Sequence, residues 1–158
     1  QEIQIFNIEL KEHKEIKNIL EIIDKTIPYH IIFIISFENE VYLSATAKHP
    51  SPLNENKSVI DWTYTSSWFK DTQNKYSLNL KKNIDTVFFD FCKQLSQKSN
   101  IDIKNITDLT AYNAKISSLT NEIEQLKKRI LSCPQFNKKV ELNLKIKNLE
   151  NELIKIKS

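Results

Sequence analysis

His30-Ile31-Ile32-Phe33-Ile34-Ile35-Ser36-Phe37 is short, unbroken, and built almost wholly from β-branched and aromatic residues. A run of this length and type predicts a strand buried on both faces, and so the centre of a sheet. Upstream, Ile16, Ile19, Leu20, Ile22, Ile23 and Ile27 recur at spacings of three and four, predicting an amphipathic helix over 12–27 that Pro28 ends. Before it, Ile3 and Ile5 on one face and Phe6, Ile8 and Leu10 on the other predict a strand over 2–10. Downstream, Glu38-Asn39-Glu40 separates the central run from the alternating Val41–Ala47, which predicts a hairpin with Asn39 supplying the positive φ that glycine normally provides.

Farther from the centre, His49–Lys57 holds two prolines and reads as a loop. Val59–Thr65 reads as a further antiparallel strand with an aromatic face. Leu80, Ile84, Val87, Phe88, Phe91, Cys92 and Leu95 predict a strongly apolar helix that covers the sheet. The polar Ser96–Asn105 reads as a linker.

From Leu109 the pattern changes. Leu109, Ile116, Ile123 and Ile130 are seven apart, as are Tyr112, Leu119, Leu126 and Cys133, giving the a/d seam of a coiled-coil helix. After Pro134, Leu142, Ile146, Leu149, Leu153 and Ile156 repeat the heptad spacing, with Leu144 and Ile154 widening the stripe. Two such helices joined by a proline-containing bend predict an antiparallel hairpin. The expected fold is therefore α+β: a small, mostly antiparallel sheet covered by helices over 1–98, a linker at 99–106, and a coiled-coil hairpin over 107–158. Its assembly seam is Ile116, Leu119, Ile123, Leu126, Ile130, Leu142, Ile146, Leu149 and Leu153.

Composition narrows the function. The 158 residues contain no glycine, which excludes phosphate-binding loops that need close backbone approach and the glycine-flanked nucleophile elbow. No apolar run approaches the ~18–20 residues of a membrane span. Two cysteines cannot build a disulfide framework or a four-ligand zinc site, so a reducing, cytoplasmic location is expected. Twenty-three Ile, 22 Lys and 16 Asn against a single Arg suggest an AT-rich bacterial genome. The start at Gln1 and the absence of methionine suggest a missing N-terminal portion.

The net charge of +3 resides in the hairpin, where residues 107–158 carry ten basic and six acidic side chains. Lys127, Lys128, Arg129, Lys138 and Lys139 gather at its bend, where they could meet phosphates or an acidic partner, or simply form a solvated helix face. On the sheet, His30 and His49 with Asp61, Glu38 or Glu40 are conceivable catalytic groups, but nothing in the spacing fixes them together. Acidic residues followed by lysine, as in Glu40 to Lys48 or Asp61 to Lys70, invite comparison with metal-dependent nucleases but lack the tight spacing. No metal site or cofactor is expected. Cys92 reads as inert core and Cys133 as accessible but unactivated. Trp62, Tyr64, Trp68 and Phe69 form the densest aromatic group, read as core packing before partner surface.

Gln1–Leu10, Ile27-Pro28-Tyr29 and Gln135–Asn143 resemble the prokaryotic domain-of-unknown-function family numbered 4391, over nearly all of the chain. That resemblance implies a setting beside DNA methyltransferase and helicase genes of restriction-type antiphage defence. It carries over no catalytic residue, and Pro28 matches the family's most typical proline. The expected function is a non-enzymatic accessory or scaffold protein that assembles through its hairpin, with itself or with a helicase- or methyltransferase-type partner. The alternatives are a nucleic-acid-binding module using the basic bend, or a nuclease completed by a missing N-terminal part.

Overall fold

The computed structural model describes residues 2–73, 75–97 and 102–157. Strand β1 (Ile3–Glu9), helix α1 (Lys17–Thr26) and strand β2 (His30–Phe37) form a βαβ unit in which β1 and β2 pair in parallel, Ile5 opposite Ile32 and Phe6 opposite Phe33. Strand β3 (Glu40–Ser51) turns back antiparallel to β2, β4 (Asn54–Thr65) pairs antiparallel with β3, and the short β5 (Phe69–Lys70) continues along β3 beside Val41. The sheet is mixed and the fold α+β, with β2 in its interior as the apolar run requires.

Alternation along each strand gives the sheet two faces. Ile31, Phe33, Ile35 and Tyr42 lie on one, against Ile16 and Leu20 of the α1 segment, with Phe6, Ile8 and Trp68 at the margins. The opposite face meets helix α2 (Ile84–Leu95), whose Phe88 stacks on the His30 ring at 4.0 Å between centroids and whose Phe91 borders Ile32, Ile34 and Leu43. Asn83 caps α2 by accepting a hydrogen bond from the Thr86 N–H at 2.8 Å.

Several elements depart from the sequence reading for identifiable reasons. Helix α1 begins at Lys17 rather than residue 12, because the Ile16 N–H donates to the Tyr42 hydroxyl at 3.1 Å and buries Ile16 ahead of the first turn. Ile19 and Ile22 point to solvent, so the buried stripe is Ile16, Leu20, Ile23 and Ile27. Glu38, with φ of 51°, takes the left-handed position of the β2–β3 turn assigned to Asn39. The predicted loop 49–57 instead extends the β3–β4 ladder, with irregularities at Ala47/Lys48 and Pro50/Ser51. Among the described residues β3 has no pairing with β2 past Ala45, leaving an edge that tolerates Pro50. Leu80 lies outside α2 and is exposed.

The aromatic residues do not form one group. Tyr64 is buried on the α2 face and its hydroxyl meets Thr110 Oγ1 at 3.0 Å, whereas Trp68 packs on the α1 face against Tyr42 and His13. Phe69 meets Tyr76.

Helices α3 (Ile106–Ser132) and α4 (Phe136–Lys157) are joined through Cys133-Pro134-Gln135. The chain divides into two compact units, Gln1–Thr110 and Ala111–Ser158, and the division falls inside α3, later than the linker read at 99–106. Ile103, within that linker reading, is buried, while 98–101 lie outside the described residues. Leu109, whose heptad spacing predicts a place in the hairpin seam, is fully buried and belongs to the first unit. Among the described residues no helix is long and apolar enough to cross a membrane.

Candidate functional site

In the second unit, the heptad repeat brings Ile123, Leu126 and Ile146 into a buried cluster, with Ile130, Leu142, Leu149 and Leu153 packed around it. Seven of the nine seam residues thus meet. Leu119 is buried outside that cluster and Ile116 is half-buried. The helices run antiparallel, since Lys115 pairs with Glu152 at 2.8 Å and Glu122 with Lys145 at 2.7 Å, while Lys127 reaches Glu150 at 2.8 Å.

The seam is therefore satisfied within the chain, and other apolar residues of α4 stay exposed. Leu144 and Ile154 do not widen the seam: they are 59% and 65% exposed, and Val140 is 43% exposed. Each residue of a helix advances by about 100°, which puts Val140, Leu144, Lys147, Asn151 and Ile154 on one strip roughly opposite Leu142, Ile146, Leu149 and Leu153. Phe136 and Leu131, both strongly exposed, lie where the strip meets the bend. On the flank between the helices a shallow groove of about 560 Å³ is floored by Ile130, Leu131 and Ile146 and rimmed by Lys127, Lys147 and Glu150.

The five basic residues of the bend share one end of the hairpin, but not one state. Lys127 is engaged with Glu150, Lys139 is half-buried, and Lys128, Arg129 and Lys138 are exposed.

The sheet brings together groups that spacing alone did not connect. His49 Nδ1 lies 2.9 Å from Asp61 Oδ1, on the surface, beside the ladder irregularity that follows Ala47. His13 lies 3.1 Å from Glu40 and 4.3 Å from the Trp68 ring. His30 takes part in neither pair: its ring is stacked on Phe88, its Nδ1 is buried and has no hydrogen-bond partner among the described residues, and burial pulls its pKa down. Among the described residues no three His, Cys, Asp or Glu side chains cluster as a metal site would require. Cys92 is buried, which pushes its thiol far up, and Cys133 is half-buried.

One arrangement was not foreseen at all. Lys48 and Asp24 form an ion pair at 2.9 Å with side chains 1% and 2% exposed. The Lys48 ammonium also donates to the carbonyls of Asp24 and Ile27 at 3.1 and 2.8 Å, closing the C-terminal end of α1 onto β3. Beside this pair, a cavity of about 330 Å³ between α1 and the sheet is lined by Ser44, Thr63, Thr65 and Tyr42. Lys17 and Glu21 of α1 also line it, and Asp24, its most buried carboxylate, is paired with Lys48.

The family model described as Domain of unknown function (DUF4391) matches residues 1–153. The chain belongs to the DUF4391 family. Its matched range covers the sheet and nearly all of the hairpin. No curated protein and no solved structure matches this sequence.

Proposed function

We propose that this DUF4391 chain is a non-enzymatic accessory or scaffold protein that assembles through its helical hairpin, whose packing is of the coiled-coil type. One observation carries the reading: α4 exposes Val140, Leu144 and Ile154 on a strip facing away from its own seam. Apolar side chains aligned on a helix face are stabilised by a covering partner, and lone surface leucines have no such alignment. The setting implied by the resemblance, a restriction-type defence assembly with a helicase- or methyltransferase-type protein, belongs to the same proposal. The test is purification of the tagged protein from its native cells alongside the Val140→Asn/Leu144→Gln variant. The expected result is a stoichiometric partner or oligomer with the parent that is lost with the variant and retained with Asp61→Ala. A parent that elutes as a lone monomer, or a variant that retains the complex, contradicts the reading.

A second reading, nucleic-acid binding at the bend, is favoured by the exposure of Lys128, Arg129 and Lys138 at one end of the hairpin. A single arginine makes a weak phosphate clamp beside the bidentate clusters usual in such sites. Fluorescence anisotropy with a DNA duplex at two salt concentrations separates the readings. Phosphate binding requires salt-sensitive affinity, and its log–log salt slope should flatten by up to about 0.9 for each contact removed on neutralising the five basic residues. A scaffold gives no measurable duplex binding at moderate salt.

A further inference from the structure

The strip on α4 repeats the spacing of the seam itself: Val140, Leu144, Lys147, Asn151 and Ile154 are separated by four, three, four and three residues. It is a second heptad face, about 21 Å long at 1.5 Å per residue, on a helix already packed through its first. Such a face matches a helix lying lengthwise. An extended peptide would read alternate residues, and a globular surface would not follow the heptad.

Charge selects among helices. Lys147 occupies the middle of the strip, where covering it with an apolar side chain would strand an ammonium without a counter-charge. Helix α4 carries six lysines and three glutamates, and two of those glutamates, Glu150 and Glu152, are engaged by Lys127 and Lys115 of α3. The whole unit Ala111–Ser158 holds ten basic and five acidic side chains. A second copy fits badly: a twofold pair centred on the strip sets Lys147 against its own copy and one basic unit against another. Asn151 beside Lys147 is the kind of polar heptad residue that fixes register rather than adding affinity.

Resting on the assembly reading above, we propose that the second heptad face of α4 takes an acidic amphipathic helix from a different protein, with a carboxylate facing Lys147 and apolar residues over Val140, Leu144 and Ile154, so that the hairpin becomes a three-helix bundle. Val140, Leu144 and Ile154 are exposed and lie outside the seam cluster, so substitutions there should leave the seam packed.

The experiment uses the full chain and two fluorescein-labelled synthetic helices of identical leucine heptads, one with glutamates flanking the seam and opposite Lys147, the other with lysines there. Anisotropy titrations measure both against the parent, Lys147→Glu and Leu144→Gln, with circular dichroism confirming that each variant is folded. The acidic helix should bind the parent at least tenfold more tightly than the basic one. Lys147→Glu should reverse that preference, and Leu144→Gln should weaken acidic-helix binding by about tenfold without altering the protein's charge. Equal binding of both helices, or acidic-helix binding indifferent to Leu144→Gln, overturns the proposal. Sedimentation of the parent separates the two levels of failure. Self-association abolished by Leu144→Gln keeps the strip as an assembly face but overturns the acidic partner. A monomer that binds neither helix, and whose native complex survives the strip variant, overturns the assembly reading as well.

Discussion

Lys48 is the residue whose position owes most to the fold and least to local sequence. It sits 24 residues from Asp24, on no periodic pattern, and the two meet only because β3 lies beside the end of the βαβ unit. Burial lowers its pKa, and Asp24 opposes that effect. Lys48→Met strands a buried carboxylate and should cost about 3–5 kcal/mol in urea denaturation, whereas Lys48→Met combined with Asp24→Leu should recover most of the loss. Equal destabilisation by the single and double variants would mean that the pair contributes packing alone. His30 makes a pH-dependent contribution of known sign. Its folded pKa is held below the ordinary 6.5, mainly by burial, with Lys48 adding to the effect and Asp85 opposing it. As pH falls below about 6.5 the unfolded chain takes up a proton that the folded chain does not, so stability declines until folded His30 itself protonates. Thermal melts at pH 7.5 and 5.5 should therefore differ less in His30→Phe than in the parent. The sequence marked His30 and His49 as possible chemistry but could not place His49 against Asp61. That contact depends on how β3 and β4 register around an irregularity, which no spacing rule encodes.

At the scale of elements, the strongly periodic segments were legible and their ends were not. The run at 30–37 is evident from its unbroken β-branched and aromatic composition, and the apolar helix ending at Leu95 and both long helices from a period repeated over many residues. The start of α1 was misplaced because a tertiary hydrogen bond from Ile16 to Tyr42 outweighs helical periodicity in the preceding residues. The prolines at 50 and 52 suggested a loop because the rule against proline in strands applies to interior ladders, and this arm has a free edge. Apolar type alone places Leu144 and Ile154 with the seam, whereas their angle around the helix sets them outside it. Two substitutions test the packing that results. Leu126, 3% exposed in the hairpin seam, should lose several kcal/mol as Leu126→Asp, through an unpaired charge in an apolar contact. Phe88, 1% exposed on the buried face of α2, should lose about 3–5 kcal/mol as Phe88→Ala. A Leu126→Asp variant that melts like the parent would remove the seam, and a Phe88→Ala change below about 1 kcal/mol would put α2 on the surface.

The whole molecule pairs an α+β unit, in which several charged groups are paired with one another, with a basic helical hairpin whose α4 exposes Val140, Leu144 and Ile154. In the first unit Lys48 neutralises Asp24, Asp61 holds His49, and Glu40 holds His13. Only the Lys48–Asp24 pair is buried; the two histidine pairs lie on the surface. Both levels were partly readable in advance: the seam and the charge excess follow from the sequence, while the outward strip emerges only once the seam is seen to be closed within the chain. The central claim is that α4, and not the sheet, is the surface that meets a partner. It is tested most directly by placing a benzoylphenylalanine photo-cross-linker at position 144 or, separately, at position 61, and irradiating native cells. A discrete cross-linked adduct from position 144, with none from position 61, is the predicted result; adducts from position 61 alone would contradict it.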